Sequence, residues 1–303
     1  MRFGVAVPAY GRGLEGTRIR DLLQAADDLG FDSAWFPDHV AVPDYAAAEN
    51  LDPPFLEPLA ACAWGLGITT RLRFGTDVLV AAYRHPLVVA AVAATLGRLA
   101  GDRFVLGVGV GYLRGEFSVL GAGPYEDRGR IADEFLDHLR HPPEGYSVVS
   151  SPTPVPIWAG GNGAAARRRA ALLADGWHPL WMPDTDYASA RRQILDARAG
   201  AGRDGPFTFS YSCGATRLLD RPRHSWPSPV PPAPPGSEFA YAPDPWLDAD
   251  GRPRFVGTAD QVAGDLALLQ TAGVDHVTLR FGSTELEQLE RFVRDVRPAL
   301  ERP

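Results

Sequence analysis

Short apolar segments alternate with longer segments of helical periodicity from one end of the chain to the other. Residues 2–7 and 33–36 are runs of apolar residues typical of buried strands. Between them, residues 17–29 repeat apolar side chains every three or four positions, and Gly30 follows as a helix stop. Six further strands are predicted at residues 72–81, 104–109, 156–159, 176–180, 207–213 and 274–280. The remaining helices are predicted at residues 55–66, 87–99, 127–139, 164–173, 186–199, 258–272 and 286–300.

Strands and helices that alternate in this way predict a single domain, residues 1–303, folded as a (β/α)8 TIM barrel. The alternative is an open, doubly wound parallel sheet, but the number of strands and the chain length favour the closed barrel. A proline-rich insertion at residues 219–255, between strand 7 and helix 7, is too long for an ordinary connection. Its aromatic residues are as consistent with an ordered lid over a site as with a disordered excursion.

The composition narrows the classes of protein to which the chain can belong. A net charge of −7 argues against nucleic-acid binding, and no apolar run is long enough to span a bilayer. The chain opens with a strand rather than a signal peptide, and Cys62 and Cys213 lie in unrelated segments. A cytoplasmic protein without a disulfide or a metal site is therefore predicted. All 30 basic residues are arginine, which removes lysine Schiff-base chemistry and the phosphate-loop lysine.

Polar residues follow the predicted strands at the points where barrel enzymes carry their chemistry. Asp38 and His39 come directly after strand 2, and Asp77 interrupts the otherwise apolar strand 3. Each also has a structural interpretation. Asp38 and His39 can be a helix cap and a surface histidine, and Asp77 can be satisfied by backbone amides inside the barrel. The sequence alone weighs the two interpretations about equally.

Two glycine-rich segments follow strands 4 and 5. Gly107, Gly109 and Gly111 alternate with larger residues, which allows a flat ligand or another backbone to come close. This spacing is not the dinucleotide fingerprint. Gly160 and Gly161 precede a predicted helix whose free amides suit a phosphate, although the segment can also be a plain turn.

Two other groups of residues are interpreted as structural. His138 and His141 have a spacing seen in metal sites, but no nearby carboxylate set completes one, so both are predicted to lie on the surface. Tryptophan residues are more often core than cofactor stack, and this applies to Trp35, Trp158, Trp177 and Trp181.

Taken together, these stretches resemble the bacterial luciferase-like flavin and deazaflavin oxidoreductases. The matching pieces in the first half are LGFDSAW at 29–35 with Asp38-His39, RFGTDV at 73–78 with Arg84-His85-Pro86, and DRFVLGVG at 102–109. Those in the second half are PIWAGGN at 156–162, DGW at 175–177, FVGT at 255–258, Gln261-Val262 and AGVDH at 272–276. The order and spacing of the motifs carry the resemblance, because each motif alone is weak.

The resemblance implies a barrel with a cofactor in its mouth, and it is closest to the branch that uses the deazaflavin coenzyme F420. In that branch an acid-histidine pair after strand 2 lies beside the ring, a non-prolyl cis peptide backs it, and a glycine turn holds phosphate. Here the matching cis bond is Asp77–Val78. The resemblance implies catalytic roles for His39 and Asp38. The implied cofactor-binding residues are Asp38, Asp77, Val78, Gly109, Gly111, Gly160, Gly161, Asn162 and Trp177. A homodimer is also implied.

The predicted reaction is hydride transfer between F420 and a small organic substrate, with the cofactor carrying the reactive carbon. His39 is expected to move the accompanying proton, and Asp38 to fix its tautomer or bind a ring edge. Tyr112 stands where some relatives place a glutamate acid. One alternative is a monooxygenase that uses oxygen and reduced flavin mononucleotide (FMN) from a separate reductase. A second alternative is a barrel that binds flavin without turnover.

Overall fold

Eight parallel strands close into a barrel, with the third strand in two segments. The computed structural model describes residues 1–11, 14–44, 53–141, 155–222, 247–248, 251–281 and 286–301. The barrel strands are β1 (Arg2–Ala6), β2 (Ser33–Phe36), β3 (Arg73–Thr76) continued by β4 (Leu79–Val80), β5 (Phe104–Gly109), β6 (Ile157–Gly160), β7 (Gly176–His178), β8 (Thr208–Ala215) and β11 (His276–Arg280). Outside the barrel, β9 (Arg217–Leu218) pairs with β10 (Val256–Gly257).

The sheet has no free edge among these strands, because β1 pairs in parallel with both β2 and β11. β5 pairs with β3 and β4 on one side and with β6 on the other, which completes the circle. The predicted (β/α)8 barrel is therefore confirmed, and the open doubly wound sheet is wrong. Of the proline-rich insertion, residues 223–246 lie outside the described residues, so its interpretation as a lid stays a prediction.

Helices cover the outside of the barrel. They are α1 (Gly16–Asp28), α2 (Pro58–Ile68), α3 (Pro86–Ala100), α4 (Arg114–Leu120), α5 (Arg128–Arg140), α6 (Ala164–Leu173), α7 (Asp184–Gly200), α8 (Ala259–Thr271), α9 (Leu286–Arg291) and α10 (Arg297–Leu300), with a π-helical turn at Phe292–Val296. Their buried faces pack on the outward side chains of the strands in one continuous hydrophobic core. In the part of the chain that is described, no helix combines the length and apolar character needed to cross a membrane.

Two indole rings stack on each other inside the barrel. Trp35 on β2 stacks on Trp158 on β6, with ring centroids 4.9 Å apart and planes 26° apart. Neighbouring strands carry glycine where these rings need room: a Cβ at Gly75 would overlap the Trp35 ring, and one at Gly176 would lie 2.5 Å from Trp158. The prediction that these two tryptophans belong to the core is confirmed, because both are at most 3% exposed.

Candidate active site

Asp38, the acid after β2, is buried and fully engaged by the protein. Its carboxylate accepts hydrogen bonds from the Val80 amide at 2.8 Å and from the Arg84 guanidinium at 2.7 and 2.9 Å. Arg84 in turn binds Glu57 at 2.7 Å. Asp38 therefore ties the loop after β2 to the end of β4. The prediction that it fixes the tautomer of His39 is wrong, because its oxygens are directed to Val80 and Arg84.

His39 lies in the mouth of the barrel with its side chain 10% exposed. Its Nδ1 is 2.8 Å from Glu116 Oε2, and its Nε2 is 3.3 Å from the Tyr112 hydroxyl. The rings of Phe55 and Tyr112 flank it, with centroids 4.8 and 5.6 Å away. Because a carboxylate only accepts, Nδ1 carries a hydrogen and donates to Glu116. In the neutral ring, Nε2 is then the nitrogen that can accept a proton.

Glu116 in the first turn of α4 is the residue that orients His39. It is completely buried and also accepts hydrogen bonds from the Val40 and Ala41 amides and the Tyr83 hydroxyl, at 2.7, 3.0 and 3.0 Å. Burial raises the pKa of its carboxyl, but the bonds from His39 and the two amides outweigh burial and lower it. Burial and the nearby Glu116 raise the pKa of Tyr83, so the phenol stays a donor.

Glu116 was not among the site residues predicted from the sequence. The only signal for it was an acid four residues after Tyr112, in a segment that follows strand 4. The Tyr112 hydroxyl itself reaches His39 Nε2. A tyrosine hydroxyl therefore lies at the mouth, at the position where the resemblance implies a glutamate in some relatives. The backbone carbonyl of Tyr112 accepts a bond from the Tyr125 hydroxyl at 3.0 Å, which holds this loop in place.

Asp77 lies between β3 and β4, and the Asp77–Val78 peptide bond is cis, as the resemblance implies. Its Oδ1 is 3.0 Å from His178 Nε2, and its Oδ2 is 3.2 Å from both Ser212 Oγ and Arg280 Nη2. Burial raises the pKa of Asp77, but His178, Arg280 and Ser212 outweigh burial and lower it. The partners are side chains from β7, β8 and β11 rather than the backbone amides of the structural interpretation.

Val78 is partly exposed, and the glycines of β5 and β6 surround it. A Cβ at Gly109 would overlap Val78 Cγ2, and one at Gly160 would lie 3.0 Å from Val78 Cγ1. At Gly111 a Cβ would lie 2.7 Å from Val80 Cγ1. A Cβ at Gly107 would overlap the Thr76 carbonyl oxygen, so a backbone does come close at that glycine. Gly109 makes room for the Val78 side chain and Gly111 for that of Val80, and their role in cofactor binding stays a prediction.

The turn after β6 presents its backbone to solvent. Gly161 has φ of 104° and is exposed together with Asn162 and Gly163, and α6 begins directly afterwards. The Asn162 amide clasps Leu180 in both directions, donating to its carbonyl at 2.6 Å and accepting from its amide at 3.0 Å. The first amides of a helix have no partner within the helix, so this turn can hold a phosphate.

Trp177 supports this turn with its indole N–H. Its Nε1 donates to the Gly161 carbonyl at 2.9 Å, and its ring stacks on Tyr187 at 5.0 Å. The side chain is completely buried on the outer side of the barrel. Outward and inward side chains alternate along β7, and it is His178 that points inward, so direct cofactor binding by Trp177 stays a prediction.

His138 on helix α5 and His141 directly after it are exposed, as the sequence predicts. They contact Glu134 and Asp137 of that helix. In the described ranges, no set of three His, Cys, Asp or Glu side chains is arranged to hold a metal ion.

Comparison with known sequences identifies relatives across most of the chain. The sequence model of the luciferase-like monooxygenases matches residues 1–217. An uncharacterized protein of Mycobacterium tuberculosis is 35% identical over 214 residues, which are 61% of this chain and 73% of that protein. An F420-dependent glucose-6-phosphate dehydrogenase of Microbacterium testaceum is 34% identical over 227 residues, which are 67% of this chain and 65% of that enzyme.

Solved structures share the fold. An F420-dependent secondary alcohol dehydrogenase, in complex with an F420-acetone adduct, superposes with a TM-score of 0.77 over 99% of both chains at 16% identity. The monooxygenase RslO1 from Streptomyces bottropensis gives the same TM-score over 98% of this chain and 99% of its own, at 17% identity. At these identities the likeness is one of fold.

Proposed function

Because the chain belongs to the luciferase-like monooxygenase family of oxidoreductases, we propose that it transfers hydride between coenzyme F420 and a small organic substrate. The observation that carries this proposal is the setting of His39. One nitrogen is held by the buried Glu116 carboxylate, and the other faces the mouth beside Tyr112. This is the arrangement that a side chain needs to exchange one proton at a defined atom.

The residues present fit a flavin-type cofactor. Val78 offers a partly exposed apolar surface in the mouth, and the exposed turn at Gly161–Gly163 offers backbone amides at the start of α6. A flat ring resting on Val78 and a phosphate at the turn would use both. When bound, the deazaflavin supplies a carbon that takes or gives hydride.

The chain's own residues supply the proton and exclude water. His39 Nε2 accepts a proton from a substrate hydroxyl during oxidation, or returns it to a carbonyl during reduction. Glu116 keeps Nδ1 protonated and stabilises the imidazolium that forms. Phe55 and Tyr112 shield the imidazole from solvent on two sides. The Tyr112 hydroxyl is placed to share the proton with Nε2.

A monooxygenase among the relatives supports one alternative. A 4-hydroxyprotoasukamycin monooxygenase of Streptomyces nodosus subsp. asukaensis is 33% identical over 141 residues, which are 46% of this chain and 36% of that enzyme. In the alternative, reduced FMN from a separate reductase occupies the same mouth and oxygen is consumed. F420-dependent relatives match longer segments of this chain, which favours the deazaflavin.

The test is a fluorescence titration of apo-protein with F420 and with FMN. Each cofactor is compared with the same ring that carries the ribityl chain but no phosphate. We expect F420 to bind tightly. The ribityl deazaflavin without phosphate should bind at least tenfold more weakly, because it leaves the turn at Gly161 without a ligand. Tighter binding of FMN than of F420, together with oxygen uptake once the FMN is reduced, would instead identify a monooxygenase. If none of the four compounds binds, the proposed function is wrong.

A further inference from the structure

Six side chains form a continuous row of hydrogen bonds through the interior of the barrel, hereafter the interior chain. From the mouth inward, its members are Asp77, His178, Ser210, His276, Ser33 and Trp35. The successive distances are 3.0, 2.8, 3.1, 2.7 and 2.8 Å. The proton transfer proposed above uses none of them.

The interior chain is closed to solvent below Asp77. Ser33, Trp35, His178, Ser210 and His276 are each at most 3% exposed. Trp35 stacks on His178 with centroids 4.9 Å apart and planes 18° apart. A Cβ at Gly4 on β1 would overlap Ser33 Oγ, so this glycine makes room for the deep end. Buried polar atoms in such a place must satisfy one another.

When both imidazoles are neutral, the chemistry of the two ends fixes the direction of every bond between them. The indole N–H of Trp35 can only donate, and an ionised carboxylate such as Asp77 can only accept. Ser33 therefore accepts from Trp35 and donates to His276 Nε2. His276 donates through Nδ1 to Ser210, which donates to His178 Nδ1. His178 finally donates through Nε2 to Asp77.

We infer that all protons of the interior chain point toward Asp77, so that His276 is the neutral Nδ1–H tautomer, His178 is the neutral Nε2–H tautomer, and His178 is a positioning residue for the Asp77 carboxylate. Every donor and acceptor in this arrangement has a partner.

The reverse direction is less favourable. It would require a doubly protonated His178, whose Nδ1–H would donate to Ser210 and turn the remaining bonds toward Trp35. The Ser33 hydroxyl would then accept from both Trp35 and His276, and its own hydrogen would have no acceptor in the chain. Asp77 already has a cation in Arg280 at 3.2 Å, so a charged His178 would leave an unbalanced charge inside the barrel. Burial, with Arg2 and Arg73 nearby, lowers the pKa of His276 well below its usual value, which keeps it neutral.

The consequence for the active site rests on the proposed function. Both Asp77 oxygens are occupied by His178, Ser212 and Arg280. Asp77 is therefore a fixed anion beside Val78, and proton exchange is left to His39 across the mouth.

The test is ¹⁵N NMR of the imidazole nitrogens in apo-protein at neutral pH. Two-bond correlations distinguish Nδ1–H, Nε2–H and doubly protonated rings, and His178→Gln and His276→Gln assign the two rings by loss of their signals. We expect Nε2–H for His178 and Nδ1–H for His276. A doubly protonated His178, or an Nε2–H tautomer of His276, would overturn the inference.

Ser210→Ala and Ser212→Ala form a matched pair, because both serines are completely buried inward residues of β8. Only Ser210 belongs to the interior chain. Ser210→Ala should shift the Nδ1 resonances of both rings, since it removes a donor from one and an acceptor from the other. Ser212→Ala should leave the tautomer of each ring unchanged. Unmoved Nδ1 resonances in Ser210→Ala would contradict the chain.

The positioning role is tested by deazaflavin affinity in two variants of His178. His178→Gln keeps an N–H that can reach Asp77, so its Kd should stay within about threefold of wild type. His178→Leu removes the donor to a buried carboxylate and should raise the Kd by about tenfold or more. Equal affinities of the two variants would refute positioning. The tautomers of His178 and His276 are measured without cofactor. If the protein shows the expected tautomers but binds no deazaflavin, the proposed function is wrong and the inference about the interior chain still holds.

Discussion

At the scale of the residue, the site depends on side chains that meet from distant parts of the sequence. His39 and Glu116 are 77 positions apart, and Asp77 and Arg280 are 203 positions apart. The short segments that carry them contribute little by themselves. What matters is which side chain each strand end turns into the mouth.

Replacing His39 by Ala should lower turnover by about 10²–10⁴-fold, the usual contribution of a positioned acid-base group. The F420 Kd should change by less than about threefold if ring and phosphate rest on Val78 and the Gly161 turn. Turnover is measured with a panel of secondary alcohols, their ketones and phosphorylated sugars. His138→Ala, an exposed histidine on α5, is the control and should behave as wild type. Unchanged turnover in His39→Ala would remove the proposed proton role.

Replacing Glu116 by Gln should destabilise the fold by about 1–3 kcal/mol at neutral pH, because charged hydrogen bonds to four donors are weakened. The folded pKa of Glu116 lies below its unfolded value of 4.5. Its stabilisation is therefore fully present above that value and is lost as the pH falls through the folded pKa. Urea unfolding from pH 7 to pH 3 should show a shallower loss of stability in Glu116→Gln than in wild type. The exposed Glu134→Gln is the control, and equal slopes for all three proteins would contradict the assignment.

The sequence predicted the strand ends that bear the site but not the pairing of the side chains. Asp38 and His39 were paired because they are adjacent, yet the Asp38 carboxylate binds Arg84. The carboxylate that reaches His39 is Glu116, on a helix that follows a different strand. Along β7, strand alternation separates Trp177, which faces the helices, from His178, which faces the interior. Tertiary contacts of this kind leave no local pattern that periodicity could reveal.

At the scale of the element, small residues and caps decide how the strands fit together. Asp27 at the end of α1 accepts hydrogen bonds from the Thr70, Arg71 and Leu72 amides at 2.8, 3.0 and 2.7 Å. It thereby joins α1 to the start of β3. Helix and strand positions were predictable from periodicity, whereas this bridge was not, because it links residues more than forty positions apart.

Asp27→Asn should destabilise the protein by about 1–3 kcal/mol at neutral pH, because an amide has one acceptor oxygen for donors that two carboxylate oxygens now serve. Burial raises the pKa of Asp27, but the three amides outweigh burial and lower it below 3.8. The effect should therefore shrink as the pH falls below that value. Chemical denaturation measures it, with the exposed neighbour Asp28→Asn as control. Equal stabilities of the two variants at pH 7 would contradict the bridge.

Gly75→Ala on β3 should destabilise the protein by about 1–3 kcal/mol, because its methyl group would overlap the Trp35 ring inside the barrel. Gly67→Ala on α2 is the matched control, since a Cβ there meets nothing within 4 Å. That variant should be neutral or stabilised by up to about 1 kcal/mol through helix propensity. Thermal unfolding of both variants gives the comparison, and a neutral Gly75→Ala would mean that Trp35 can move aside.

At the scale of the whole molecule, the barrel closes through its first strand. β1 pairs with β2 and with β11, so the earliest and latest strands of the barrel depend on one another. Closure was predictable from the count of alternating elements. The hydrogen bonds inside the barrel were not, because they join side chains on strands that are distant in the sequence.

We predict that the single domain expected from the sequence unfolds as one cooperative unit. Disruption of β1 removes a partner from two strands at once and opens the barrel. Urea unfolding followed by tryptophan fluorescence and by far-ultraviolet circular dichroism should therefore give coincident transitions. The fluorescence of the seven tryptophans includes the interior pair Trp35 and Trp158, and the dichroism reports the helices. Separated transitions would show that part of the barrel unfolds independently.

The short strand β7 serves both halves of the proposed cofactor site. Trp177 holds the Gly161 carbonyl, His178 contacts Asp77, and Leu180 just beyond the strand is clasped by Asn162. The position of β7 thus sets the distance between the proposed phosphate turn at Gly161 and the proposed ring contact at Val78. A cofactor whose linker matches this span gains the high effective concentration of its second group once the first is bound. A cofactor with a longer or shorter linker binds only through its ring or only through its phosphate, and keeps only the affinity of that one group.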